Sequence, residues 1–403
     1  MSGRKKAPLP MLAVAVALAL GTAVSLGLAR FSYALFLPPM RADLGWSYLT
    51  SGAMNTVNAA GYLLGALLAP ACLRRLGSRR ALLTGIGATA LLLAAHGAVI
   101  GDAPLYALRF LTGAVSAVAF VAGGLLAVQL VGAPAASGGS AATAGLVLGI
   151  YYGGAGVGIV VSALLVPWLA ARNVDHAWQG AWLGLGLLGL VATALIAAAT
   201  RALHVAPGAA ATASGSRGFA WQKFLPALVA YLLFGLGYIG YMTFIVTLLR
   251  EQQLAGGLVT AFFAMLGGAV AVSPWIWAGM LQRFRGGESL CLLSALLVVA
   301  TLLPVLSTDP IAVFASGLLF GGVLLSLVAS TTALVRHNLA PTDWPAGITL
   351  FTIVFAAGQI VGPSLVGFIA DRSGGLRAGL ASSAGLLALA SLIAWWQKPL
   401  APR

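Results

Sequence analysis

Twelve stretches of twenty or more mostly apolar residues, separated by short turns, leave this chain one kind of solvent. The runs cover roughly 10–37, 49–72, 80–100, 104–132, 140–171, 178–200, 222–250, 257–281, 288–307, 310–337, 345–371 and 376–397. A helix of about 20 apolar residues spans a bilayer, so each run predicts one membrane crossing. The chain is 60% hydrophobic and 7% charged, whereas a soluble domain carries about 25% charged residues. Segments of about ten residues with alternating polarity, the mark of a membrane β-barrel, do not occur. Fifty-two glycines suit close backbone packing between membrane helices. Arg4-Lys5-Lys6 before the first run has the shape of a signal peptide. The run is too long for one, however, and eleven more follow, so it is read as a retained first helix.

The net charge of +14 would suggest a nucleic-acid partner were the basic residues on one soluble face. They sit instead in clusters between apolar runs, which is the positive-inside pattern. With both termini cytoplasmic, fifteen Lys and Arg fall on the inner side and five on the outer (Arg41, Arg172, Arg250, Arg372 and Arg377). The longest polar stretch, 201–221, centres on Ala-Thr-Ala-Ser-Gly-Ser and reads as a flexible linker. It divides the chain into a bundle at 1–200 and a bundle at 222–403, with six runs each. The expectation is an all-α protein of twelve transmembrane helices in two six-helix bundles. It would be a multi-pass protein of the cell membrane, which in a bacterium is the inner membrane. Cys72 and Cys291 are far apart in sequence and read as small apolar residues.

The turn after the second run is Arg74-Arg75-Leu76-Gly77-Ser78-Arg79-Arg80, and the turn after the eighth includes Arg283-Phe284-Arg285-Gly286. These basic turns occupy equivalent places in the two halves. The fourth run carries Arg109-Phe110-Leu111-Thr112-Gly113, the fifth Gly154 and Gly158, and the eleventh Gly358-Gln359-Ile360-Val361-Gly362-Pro363. Together these patterns resemble the signature motifs of the major facilitator superfamily, and the resemblance covers the whole chain. The first run, Gly27 to Tyr33 leading to Leu37-Pro38-Pro39-Met40, and the seventh, with Tyr231, Gly235 to Ile239 and Thr243-Phe244, are similar to the YbfB/YjiJ-type branch. The resemblance implies two bundles about a pseudo-two-fold axis, a central cavity lined by spans 1, 4, 7 and 10, and transport by alternating access. It also implies gating roles for Arg74, Gly77, Arg283 and Gly286 in the turns, and close packing or bending at Gly358, Gly362 and Pro363. The chain departs from the family where the loop motif has an aspartate: Arg74 and Arg283 stand there, which implies a different latch.

All eight acidic residues (Asp43, Asp102, Asp175, Glu251, Glu288, Asp309, Asp343 and Asp371) fall in predicted loops or at helix ends, and so do the four histidines. No carboxylate is placed to bind a cationic drug or carry a proton in mid-membrane, and no cluster suits an enzyme or a metal. No cofactor and no nucleic-acid partner is expected. Arginine is what the interior does contain. Arg30 lies eight residues before Pro38, about 12 Å from that helix end, and Arg109 five residues after Pro104, about 8 Å from the same side. A charge there costs about 1–3 kcal/mol, and each arginine could simply snorkel or brace the bundle. The functional alternative is an anion site, since the guanidinium fork matches a carboxylate or phosphate. Helical spacing adds Tyr33 beside Arg30, Thr112 and Ser116 beside Arg109, and a polar stripe Asn55, Asn58 and Tyr62. It also groups Tyr231, Phe234, Tyr238 and Tyr241 on the seventh run, and Thr349, Thr352 and Gln359 on the eleventh. The expectation is a monomeric carrier of a small organic anion. An efflux carrier of neutral or amphiphilic compounds with structural arginines is the alternative.

Overall fold

A computed structural model describes residues 11–132, 141–170, 174–201 and 220–400. The linker centre with His204 and Arg217, the basic cluster Arg4 to Lys6, Arg172 and Arg403 lie outside them. The described residues form twelve long helices and no strand. The first, α1, runs from Met11 to Leu44. It is followed by α2 Tyr48–Leu76, α3 Ser78–His96, α4 Asp102–Gly132, α5 Ala141–Ala170 and α6 Trp178–Ala199. The second set is α7 Leu225–Glu251, α8 Gly256–Ile276, α9 Glu288–Leu306, α10 Pro310–Asn338, α11 Trp344–Arg372 and α12 Gly375–Trp395. A short helix, Ala278–Arg283, follows α8. Eleven of these meet the length and apolarity of a membrane span. The other, α3, carries Arg79 and Arg80 in its first turn and ends with His96, which lowers its mean hydropathy although at 19 residues it is as long as its counterpart α9.

The two sets pack alike. In the first, α1 touches α5 and α6, α2 touches α4, and α3 touches α4 and α6. In the second, α7 touches α11 and α12, α8 touches α10, and α9 touches α10 and α12. Adding six to each helix number in the first set gives the second, so the chain is a structural repeat of two six-helix bundles. The main contacts between bundles are α2 with α11 and α5 with α8. The same shift of six exchanges these pairs, as a two-fold axis between the bundles requires. Small residues permit both seams. A Cβ on Gly52 would lie 2.2 Å from the Pro363 carbonyl oxygen, and one on Gly156 2.3 Å from that of Gly267. Outward-facing leucines such as Leu187 and Leu392 are more than 60% exposed, which lipid accommodates and water does not.

The first helix is not uniform. Met11–Thr22 is α-helical, Ala23–Phe31 is π-helical, and the α form resumes at Tyr33–Leu44. The wide turn closes with the Ser32 N–H donating to the Gly27 carbonyl at 2.9 Å. Gly27 is pressed against α5, where a Cβ would come within 2.5 Å of Gly158 Cα. Pro38 and Pro39 lie within the following segment and can donate no backbone bond. Gly45, at φ 65°, ends the helix.

Candidate functional site

Arg30 is carried by the π-helical turn, a feature that recurs at functional sites. It is 5% exposed. Its guanidinium donates to the side-chain oxygen of Gln359 on α11 and lies 5.0 Å from the centre of the Tyr62 ring on α2. Tyr238 on α7 is near enough to feel its charge. Among the described residues this is the one hydrogen bond of a group with five N–H donors, and Nε is buried without a partner. Arg30 is thus a buried cation held across the bundle seam by a neutral amide.

Arg109 on α4 is differently placed, although the two arginines feel each other's charge. It is 1% exposed and donates to the Ala29 carbonyl at 3.0 Å and to Asn55 Oδ1 at 3.2 Å. It lies 4.7 Å from the centre of the Tyr33 ring. The Tyr33 hydroxyl donates to the Ser51 carbonyl at 2.9 Å, and Asn58 Nδ2 donates to the Arg109 carbonyl at 2.9 Å. Arg109 and Tyr33 therefore tie α1, α2 and α4 together within the first bundle. Thr112 is buried, and its hydroxyl has no partner among the described residues. The Ser116 hydroxyl donates to the Gly113 carbonyl of its own helix at 3.0 Å. His96 ends α3 as the sequence suggests, but it is fully buried and stacks on Trp182, with ring centres 4.5 Å apart.

The second bundle faces this region with aromatic rings. Phe355 on α11 stacks on Tyr231 at 4.8 Å, on Phe234 at 5.3 Å and on Tyr238 at 5.5 Å. Tyr241 stands apart, inside the second bundle, with its hydroxyl 2.6 Å from that of Ser316 and its ring stacked 4.0 Å from Phe320. On the first-bundle side, Tyr62 lies 6.5 Å from Phe120, which lies 6.0 Å from Tyr152 on α5. Tyr152, Trp275, Pro274, Leu148 and Gly149 line a cavity of about 490 Å³ between α5 and α8. A continuous row of rings therefore links that cavity to Arg30. Phe355, Phe120 and Tyr152 escaped the sequence reading. For Phe355 a signal existed, because Phe351, Phe355 and Gln359 share one helical face at spacing four.

Ties between bundles gather at the end away from the termini. Asn55 Nδ2 donates to Thr243 Oγ1 at 2.7 Å, and the Thr56 hydroxyl donates to the Ile360 carbonyl at 2.7 Å and lies 2.8 Å from that of Ser364. Asp371 accepts from the backbone N–H groups of Tyr48 and Leu49, at 3.0 and 2.8 Å, and so caps α2 from the other bundle. Glu251 accepts from the Tyr48 hydroxyl at 2.5 Å and lies 3.6 Å from Arg41. At the opposite end, Arg74 and Arg283 are exposed and without hydrogen-bond or ion-pair partners among the described residues. Gly77 there adopts φ 76°. Gly286 is buried, its N–H donating to Glu288 Oε2 at 2.9 Å. Gly358 and Gly362 let α11 press on α7, where a Cβ at either would lie 2.5 Å from a carbonyl oxygen, of Leu232 or Leu236. The carbonyl of Pro363 meets Gly52 on α2.

The family profile described as "Uncharacterised MFS-type transporter YbfB" matches residues 22–395. The chain belongs to this family of transporters. This YbfB-type chain is also similar to a chloramphenicol resistance protein of Streptomyces lividans, 26% identical over 405 residues and 96% of each chain. Its fold is similar to that of a bacterial homologue of the human lysosomal transporter Spinster, solved inward-facing and unoccupied. The TM-score is 0.73 at 13% identity, over 96% of this chain and 97% of that one. It is likewise similar to the nucleoside transporter NupG, with a TM-score of 0.70 at 12% identity over 96% and 99% of the chains. The YbfB-type chain is thus a membrane transporter of the major facilitator superfamily and not an enzyme. Among its described residues no group of three or more His, Cys, Asp or Glu could hold a metal.

Proposed function

We propose that this transporter moves a small organic anion with an aromatic body by alternating access. The observation that carries the reading is Arg30: a buried cation at the bundle seam, with a neutral partner, in a chain whose eight carboxylates all lie at helix ends or in loops. A carboxylate would supply the missing countercharge and a fork that matches the guanidinium. Tyr62 and the Tyr231, Tyr238 and Phe355 rings form apolar walls for the rest of the molecule. Tyr33, Arg109, Thr112 and Ser116 support that site from the first bundle, and Tyr241 supports it from within the second. The two bundles, 1–200 and 222–403, move about the seam, with Gly358, Gly362 and Pro363 as the packing points of α11. The basic turns at Arg74–Gly77 and Arg283–Gly286 approach each other when the terminal end closes. Both termini are cytoplasmic, so the tied end is the outer one and the carrier opens to the cytoplasm. The transporter acts as a monomer.

A thermal-unfolding panel on the detergent-purified protein tests this, because a ligand that binds only the folded state stabilises it by about 2.7 kcal/mol at a hundredfold excess over Kd. Small carboxylates should raise Tm in the wild type and not in Arg30→Gln. The relative named for chloramphenicol resistance, together with the aromatic walls, favours a second reading: export of uncharged amphiphiles. Equal stabilisation of both proteins by neutral compounds would select it.

A further inference from the structure

Gln359 occupies Arg30 Nη2 from the opposite bundle, and a carboxylate that forks onto the same nitrogen competes with that contact. The amide offers Arg30 a single oxygen and no charge, whereas a carboxylate offers two oxygens and the full countercharge. Arg30 is buried and its Nε has no partner among the described residues, so the pair leaves most of its bonding capacity unused there. Gln359 is also next in sequence to the seam. Ile360 accepts the Thr56 hydroxyl bond, Ser364 lies against the same hydroxyl, and Gly362 and Pro363 pack on α7 and α2. One turn earlier, Phe355 stacks on Tyr231, Phe234 and Tyr238. Whatever moves Gln359 acts on both the aromatic wall and the tie between α2 and α11.

We propose that Gln359 is a built-in competitor for the substrate anion. In the empty transporter it satisfies Arg30 weakly and holds the bundles together. The arriving carboxylate displaces it, and the loss of that tie loosens the α2–α11 seam, so that binding itself favours opening of the tied end. This rests on the anion reading above and adds to it a specific residue that converts occupancy into movement. A neutral amide suits this role because it relieves an otherwise naked buried charge yet leaves when a better partner comes. A glutamate there would pair with Arg30 permanently.

The test uses the full-length transporter in detergent, with benzoate as the probe. Gln359→Ala should bind benzoate about tenfold more tightly than wild type, the gain expected if the competitor holds Arg30 nine-tenths of the time. Gln359→Glu should lose the benzoate response while unfolding at a higher temperature than wild type. A second readout follows the seam. In a background with Cys72 and Cys291 replaced by serine, a Thr56→Cys, Ser364→Cys pair should form a disulfide, and benzoate should slow its formation. With Gln359→Ala added, benzoate should no longer alter that rate. If benzoate binds in an Arg30-dependent manner but Gln359→Ala neither tightens binding nor uncouples the disulfide rate, the competitor role is wrong and the anion site stands. If benzoate stabilises wild type and Arg30→Gln equally, or stabilises neither, the anion site falls and the competitor role with it.

Discussion

Two arginines that read alike in the sequence have opposite situations in the fold. Arg109 spends its donors on Ala29 and Asn55, while Arg30 has Gln359 alone among the described residues. Sequence spacing put both at similar depth and could go no further, because their partners lie on other helices and, for Gln359, 329 positions away. The difference is measurable. Arg109→Gln should lower the unfolding temperature in detergent, since buried acceptors on Ala29 and Asn55 lose their donor at about 1–3 kcal/mol each. Arg30→Gln, without ligand, should lower that temperature less, because the orphaned Gln359 oxygen is offset by removal of a buried charge that lacks a countercharge. A matching loss in both variants would show that Arg30 braces the bundle as Arg109 does.

The limits of sequence reading at the level of helices are clearest in α1. Periodicity of 3.6 put Tyr33 on the face of Arg30, but the π-helical turn at Ala23–Phe31 changes the angular step between them, and Tyr33 lies under Arg109 instead. Nothing local announces that turn; it accompanies the contact of Gly27 with Gly158 on α5. The Gly358 and Gly362 spacing, by contrast, was legible because close packing needs a missing side chain and leaves a sequence mark. The seam can be tested at this scale. Gly52→Val should keep α2 from α11, since its Cβ alone would overlap the Pro363 carbonyl; the measurement is loss of the Thr56→Cys, Ser364→Cys disulfide. Asp371→Ala removes two charge-assisted bonds to the start of α2, a change of about 1–2 kcal/mol, which is about a five- to thirtyfold shift in a two-state ratio. Labelling of a cysteine at Thr247, which is buried one turn before Glu251, by an impermeant maleimide should speed up by that order. Unchanged labelling would mean that the Asp371 cap does not hold the end closed.

For the whole molecule, the number of helices and their division into six and six were readable because bilayer thickness and hydrogen bonding fix what a span must be. The pairing of α2 with α11 and of α5 with α8 was not, since apolar faces of similar composition carry no address in lipid. The departure at Arg74 and Arg283 was visible, and these residues make no tie among the described residues; the carboxylates Glu251 and Asp371, at the end away from the termini, make the ties instead. The charge asymmetry predicts cytoplasmic termini, and a fluorescent reporter that folds only in the cytoplasm, fused after Arg403, should light up. A dark fusion with full expression would invert the orientation.

The placement of every acidic side chain at a helix end or in a loop has an electrical consequence. In the anion cycle proposed above, with no carboxylate in the middle of the spans to carry a compensating proton, a cargo that brings no proton of its own moves its charge with each turnover. The transport cycle is then electrogenic, and a potential of 100 mV, negative inside, adds about 2.3 kcal/mol per charge. That favours outward movement by about fiftyfold, so the resting cell would drive such a carrier as an exporter without any ion gradient coupled to it. Collapsing the potential in vesicles with valinomycin and balanced potassium should abolish uphill movement of the anion while leaving downhill exchange intact.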